Sequence, residues 1–347
     1  MDRCTKLIDL MDKLQLEAVL VTDRKNVSYF SGFCGSAGYL FVTREARFLV
    51  TDFRYTQQAA AQAKDFEVRD SADFKLSDAI DTSVPTGFEN KSVTYDEYCR
   101  FSEVFGDLKP LDNELVKLRS VKDKNEVSCI QAAAEIADKA FLHITDYMRP
   151  GITEAEVALE LEMYMRKNGA DGLSFDSIIA SGANGAMPHA HPGSKRLENG
   201  EFVVMDYGCV VGGYCSDMTR TVAIGDVSRR HTDVYNDVLE VQQKCLEMAG
   251  KGVRCCDIHS YSSDVLNGKY PGCYGHGLGH GVGLYIHELP NLNSKSDYIL
   301  TPGNIITVEP GVYINGFCGV RIEDLVLITD TGIQILSKST KELIKIQ

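Results

Sequence analysis

No stretch of this 347-residue chain approaches the roughly 20 consecutive apolar residues needed to span a bilayer. Basic residues are in deficit: 36 Lys and Arg against 49 Asp and Glu leave a formal charge of −13. That balance argues against nucleic acid or an anionic membrane surface as a partner. The opening MDRCTKLIDLMDKLQLEAVLV has charges throughout and no cleavable apolar core, so it reads as an amphipathic helix followed by a strand rather than a signal peptide. Repeats and low-complexity tracts are missing. So is any Cys-x-x-Cys pair; the eleven cysteines, an odd number without a regular framework, read as reduced, mostly buried thiols of a cytoplasmic protein. Vicinal Cys255-Cys256 near His259 is a poor metal site, because adjacent side chains diverge. His287-Glu288 does not open an H-E-x-x-H helix, since position 291 is asparagine and Pro290 opposes a helix, which argues against a zincin. The glycines at 275, 277, 279, 281 and 283 never satisfy the G-x-G-x-x-G phosphate fingerprint.

What is present is ordinary globular material, 44% hydrophobic and 24% charged, long enough for two domains. Up to about residue 115, short apolar runs (Ala18 to Val21, Tyr39 to Val42, Arg47 to Thr51, Phe66 to Arg69, Ser92 to Tyr95) alternate with helical patterns such as Tyr55 to Ala63, which predicts an α/β domain. The polar stretch Arg119 to Glu126 opens a long helix running through Ala140 and Phe141, and places the boundary between domains 1–120 and 121–347. A second helix starts near Thr153, where Thr-Glu-Ala-Glu supplies a capping box, and stops before Asn168-Gly169. Strands follow, with one helix among them whose Val234, Val238, Val241, Cys245 and Met248 keep a 3.6-residue period. The second domain is therefore expected to be α+β, an antiparallel sheet with helices over one face.

Within it, acidic residues fall on strand-like segments. In MDYGCVVGGYCSDMTRTV two β-rich runs flank Val211-Gly212-Gly213 as a hairpin. A Val211-Gly212 loop sets Asp206 opposite Asp217; a Gly212-Gly213 loop sets Asp206 opposite Thr219 and Asp217 diagonally away. Either way both carboxylates share a sheet face. In ITVEPGVYINGFCGVRIEDLVLIT, Glu309 and Glu323 share a face only if the loop around Asn315-Gly316-Phe317 is odd-numbered or bulged. Like charges on inward positions cost several kcal/mol each, roughly the effective desolvation penalty, unless compensated. Divalent cations are the simplest compensation. Five of the eight histidines lie in two glycine-rich segments, His276, His280 and His287 in one and His189 and His191 in the other. Loops of that kind on a rigid scaffold are where sites are built. The alternate glycines of 275–283 suggest an extended segment lying close to another backbone.

MDYG, SDMTRT, HGLGHGVGLYIHE, VEPGVY and RIEDLVLIT resemble the signature segments of the pita-bread-fold metallopeptidases, in particular the proline-specific branch of aminopeptidase P and prolidase. NVSYFSGFCGSAGYLFVT and FLVTDFRYTQQA resemble the smaller, creatinase-type domain of those enzymes, so the likeness covers nearly the whole chain. It implies an α/β N-terminal domain and a pita-bread catalytic domain. It implies two divalent metal ions, with Asp206 chelating one, Asp217 and Glu323 bridging both, and His280 and Glu309 completing the set. Manganese is the family-weighted choice, with cobalt, iron and zinc compatible with carboxylate-rich ligation by one imidazole and no thiolate. Such an ion pair acidifies a water and polarises the scissile carbonyl. By the same resemblance His189 and His287 assist at the substrate, Glu309 doubles as a proton shuttle, and His276 and Arg321 line the substrate cavity. His191 has no fixed counterpart and reads as a solvent-facing loop residue. The expectation is a homodimeric Xaa-Pro aminopeptidase acting on peptides with proline in second position, the alternative an Xaa-Pro dipeptidase. Metal-free creatinase-like chemistry or a binding platform is disfavoured by the intact set of five.

Overall fold

A computed structural model describes residues 3–78 and 81–347. The chain divides into two compact units, Met1–Leu118 and Arg119–Gln347.

The first unit is built on a six-stranded mixed sheet, in spatial order Glu67–Asp70, Arg47–Thr51, Tyr39–Thr43, Ala18–Val21, Pro85–Phe88 and Asp107–Pro110. Ala18–Val21 is buried along its whole length because both faces of this central strand are covered, which is why it reads as an unbroken apolar run. Helix Arg3–Leu14 packs Leu7, Leu10 and Met11 inward. The sequence reading of Ser92 to Tyr95 as a strand is wrong. Thr94 instead caps helix Tyr95–Val104 through a reciprocal capping box with Glu97, and the neighbouring strand is Pro85–Phe88. A Ser-Val-Thr-Tyr run has strand composition, but a hydroxyl three residues ahead of a glutamate lets the helix N-terminus win.

In the second unit helices Lys124–Tyr147 and Glu154–Lys167 lie on a sheet containing Ile178–Ser181, Glu201–Tyr207 and Met218–Ile224. Their contact is a core of Ala137, Phe141, Val157, Leu161, Val203, Met205 and Val222. Asp123 and Thr153 cap the two helices, each with a capping-box glutamate. Helices Arg229–Met248 and Cys255–Lys269 cover a second sheet containing Glu288–Leu292, Gly279–Gly281, Ile305–Val308 and Asp324–Ile328. Two layers of helix over sheet are thus formed where one had been expected with a single intervening helix. Cys255–Lys269 escaped the sequence reading because its inward stripe, Cys255, Ile258, Ser262 and Leu266, includes a serine and its surface is rich in serine and asparagine.

Candidate active site

Both hairpins break where the acids sit. Gly212 and Gly213 form the first loop, both with positive φ (58° and 84°), and Val211 pairs with Tyr214. This register places Asp206 directly opposite Thr219. Asp217 then lies in the gap between Tyr214–Cys215 and Met218–Ile224, beside Gly208, where a Cβ would collide with the Ser216 carbonyl. In the second hairpin Ile314 pairs with Cys318 around the three-residue loop Asn315-Gly316-Phe317. The odd number continues through Val308 opposite Asp324, so Glu309 and Glu323 occupy facing positions where the ladder opens. Turn length, set by Gly316 at φ 70°, therefore decides that two carboxylates meet.

One oxygen from each of Asp206, Asp217 and Glu323 lies within 4.8 Å of the others. Asp206 Oδ1 and Glu323 Oε1 are buried and accept no hydrogen bond. The second oxygens are taken: Arg321 donates to Asp206 Oδ2, and Thr219 Oγ1 donates to Glu323 Oε2 at 2.7 Å. Burial, reinforced by neighbouring carboxylates, pushes the Asp217 carboxyl well above its ordinary range, and the same holds for Glu323. Burial pushes Glu309 up to about 7. His280 adds a decisive detail. Its Nδ1 lies 3.2 Å from the Gly281 carbonyl, which can only accept, so Nδ1 carries the proton and burial keeps the ring neutral. Its lone-pair nitrogen Nε2 then faces Asp217 Oδ2 at 3.5 Å and Glu309 Oε1 at 3.4 Å. Acceptors converging on acceptors in a buried site call for cations between them. The donor set fits divalent metals.

The glycine-rich strand delivers His280 by close packing. A Cβ at Gly279 would strike the Thr307 carbonyl, and one at Gly281 the Leu289 carbonyl, so the extended-segment reading of these glycines matches the structure. Thr307, which the sequence reading did not single out, bonds to both residues, donating to Glu309 Oε1 at 3.0 Å and accepting from the His280 N–H.

The other singled-out residues surround the same cavity of about 510 Å³, whose lining includes His189, His191, His276, His287 and Arg321. His287 meets the His280 ring edge to face at 4.3 Å. His276 Nδ1 donates to the Gly277 carbonyl at 2.7 Å, so Nε2 accepts from the Tyr313 hydroxyl at 2.9 Å. Burial depresses its pKa to about 4, which keeps it neutral at physiological pH. Tyr313 in turn accepts from Arg321. His189 and His191 sit on the exposed part of a loop that the buried Glu154 carboxylate holds together, accepting from the Ser181 N–H and hydroxyl, Asn184 Nδ2 and the Gly193 N–H. Nothing in the sequence reading marked Glu154 beyond its place in the capping segment. Glu154→Gln turns one acceptor oxygen into a donor facing other donors, and is expected to lower unfolding stability in urea by about 1–3 kcal/mol. An unchanged midpoint would refute that role.

The sequence model of metallopeptidase family M24 matches residues 128–330, more than half of the chain, a span that includes Asp206, Asp217, His280, Glu309 and Glu323. This chain belongs to that family. As an M24 metallopeptidase it also carries, at residues 3–121, a match to the creatinase/prolidase N-terminal domain. An uncharacterized peptidase of Bacillus subtilis is 41% identical to it over 98% of each chain. The Xaa-Pro dipeptidase of Pyrococcus horikoshii is 35% identical over 99% of each. Among solved structures, an Xaa-Pro dipeptidase from Bacillus anthracis superposes with a TM-score of 0.95 at 38% identity over 99% of both chains. An X-Pro aminopeptidase from Thermotoga maritima gives 0.89 at 36% identity, covering 96% of this M24 chain and 99% of that one. No helix among the described residues is long and apolar enough to cross a membrane.

Proposed function

We propose that this M24 metallopeptidase hydrolyses the bond between an N-terminal residue and proline, with Xaa-Pro dipeptides as its preferred substrates. Two divalent ions would be held by Asp206, Asp217, His280, Glu309 and Glu323, and manganese suits this carboxylate-rich set with one imidazole. The observation that carries the reading is the convergence of unpartnered buried acceptors, Asp206 Oδ1 and Glu323 Oε1, with His280 Nε2 beside Asp217 and Glu309. When bound, the ions would acidify a water and polarise the scissile carbonyl. The chain's own residues would do the rest. His189 and His287 line the cavity, where their rings would turn onto the substrate carbonyl. Glu309, fixed by Thr307, would carry a proton toward the proline nitrogen, a secondary amine that must be protonated to leave. Arg321 and His276 would shape the wall. The dipeptidase preference follows the two named dipeptidases among the relatives and replaces the aminopeptidase expectation as the main reading.

One observation favours the aminopeptidase reading. A dipeptide presents its proline carboxylate inside the cavity, yet Arg321 commits donors to Thr219, Pro188, Tyr313 and Asp206, four of the five N–H bonds a guanidinium has. Hydrolysis of Ala-Pro and Ala-Pro-Ala by manganese-loaded protein separates the two. Dipeptidase action is expected to give Ala-Pro the higher kcat/KM by ~10-fold or more, the scale of one lost polar contact. Faster turnover of Ala-Pro-Ala would restore the aminopeptidase reading. No turnover of either with manganese, cobalt, iron or zinc would sink both.

A further inference from the structure

Behind the carboxylates, on the side away from the cavity, lies a second buried polar cluster. Successive side chains of a strand point to opposite faces. Thr219 and Glu323 face the cavity, so their sequence neighbours Arg220 and Asp324 point the other way, and both are 1% exposed. Arg220 spends all five of its N–H bonds. Nη1 donates to the Thr219 carbonyl at 2.9 Å and to the Glu323 carbonyl. Nη2 donates to Asp324 Oδ1 at 2.7 Å and to the Ser339 carbonyl at 2.8 Å, and Nε to the Thr340 carbonyl at 3.1 Å. Asp324 Oδ2 accepts from Gln242 Nε2 at 2.9 Å and Lys341 Nζ at 2.6 Å, and Lys341 also donates to Gln242 Oε1.

The two strands joined in this way belong to different sheets, Met218–Ile224 to one and Asp324–Ile328 to the other. Asp217 immediately precedes the first strand and Glu323 the second. On the cavity side the Glu323 N–H donates to the Thr219 carbonyl at 3.1 Å and the Thr219 hydroxyl donates to Glu323, while Arg321, two residues earlier, is tied to Thr219 and Thr221. Arg220 adds a tie from behind, at the carbonyl of Glu323 itself.

We propose that Arg220 and Asp324, tied down by Gln242 and Lys341, are positioning residues for the metal centre, and that the C-terminal segment Ser339 to Lys341 is part of that device. The proposal rests on the reading that Asp217 and Glu323 hold metal. A guanidinium is needed because a planar fork alone reaches two strand carbonyls, a carboxylate and two carbonyls of the C-terminal segment at once. Lysine at 220 would keep the charge next to Asp324 and lose most of those bonds.

The test compares wild type, Arg220→Lys and Lys341→Met, each shown to be folded by circular dichroism. Manganese affinity would be measured by isothermal titration, with kcat and KM on Ala-Pro. A variant at a remote core position, Met165→Ala, serves as the reference for a loss of stability unconnected with the site. Arg220→Lys is expected to weaken manganese binding ~10–100-fold, the usual effect of removing a group that orients a metal ligand. It should lower kcat at saturating metal with KM for the peptide little changed. Lys341→Met, which leaves Arg220 in place and lies nearer the surface, should weaken binding by ~10-fold and decides the matter if Arg220→Lys does not fold. Wild-type affinity in the folded variants, with a loss of melting temperature like that of Met165→Ala, would overturn the proposal and leave the cluster a purely structural one. Absence of metal binding by the wild type would overturn the metal reading instead.

Discussion

Asp217→Asn is expected to lower kcat/KM for Xaa-Pro hydrolysis by ~10³-fold or more, and at the same time to make the metal-free protein more stable at neutral pH. The two outcomes have one cause. Asp217 is 5% exposed, and its carboxyl is held well above its ordinary pKa by burial first and by Glu323, Asp206 and Glu309 next. Without cations its charge is a liability. Folded-state pKa values raised above the unfolded ones mean that Asp217, Glu323 and Glu309 favour the fold below about pH 4. That contribution disappears as pH rises through their folded values, about 7 for Glu309. The metal-free wild type should therefore lose stability as pH rises from about 4 through these raised values, whereas the asparagine variant, with one titrating member removed, should lose less. A gain of about 1–3 kcal/mol for the variant at pH 8 is the scale set by relieving one partly compensated buried charge. His276 titrates in the same experiment with the opposite sign, since its pKa is depressed to about 4, but it is common to both proteins and cancels in the difference. Urea unfolding of chelator-treated proteins at pH 5 and pH 8 reads the effect. Turnover at the wild-type rate, or a metal-free variant no more stable than wild type at pH 8, would contradict the assignment of Asp217.

The electrostatic conflict was legible in the sequence because strand alternation alone put Asp206 and Asp217 on one face. What sequence left open was register. Val211-Gly212-Gly213 allowed two loops, and the structure takes the one with glycine at both turn positions, where φ is positive in each. A plain two-residue Asn315-Gly316 turn would have separated Glu309 from Glu323; Phe317 joins the loop, makes it odd-numbered and brings them together. Local turn chemistry was ambiguous in both hairpins: in the first, the position of the two-residue loop decides which residue faces Asp206 but not the face, while in the second one extra loop residue reverses the face.

Less visible were the residues that act through others. Thr219 and Thr307 look like ordinary strand threonines, yet each places a hydroxyl on a carboxylate of the site. Their partners lie 104 and 2 residues away, and only the first distance is beyond local pattern. Arg220 sits inside SDMTRT, which singled out Asp217 three residues earlier, while its own distant partners come from two segments, Glu323-Asp324 and Ser339-Thr340. Buried polar networks leave no periodic trace, since each member satisfies a geometric need set by the assembled core.

The same reasoning predicts a large loss of stability for Glu288→Ala. Glu288 follows His287 and stands opposite Gly281, next to His280, in the strand register. Its side chain is 2% exposed, with Arg119 Nη2 at 3.0 Å and Lys122 Nζ at 2.9 Å, themselves 3% and 0% exposed. A Cβ at Gly283 would collide with this carboxylate, so the fourth glycine after Gly275 makes room for an ion pair rather than for substrate. Removing the carboxylate leaves two buried cations facing each other without it, and the expected cost is about 3–5 kcal/mol of unfolding free energy in urea. Most of that cost should come from taking the shared counter-charge away from two buried cations, not from the loss of an attractive pair, because bringing three charges out of water consumes nearly all they gain from one another. The triple replacement Arg119→Met, Lys122→Met, Glu288→Leu separates the two accounts. It is expected to be less destabilised than Glu288→Ala alone although it removes more interactions. A triple variant at least as unstable as the single one would show instead that the charges themselves hold this edge of the site in place.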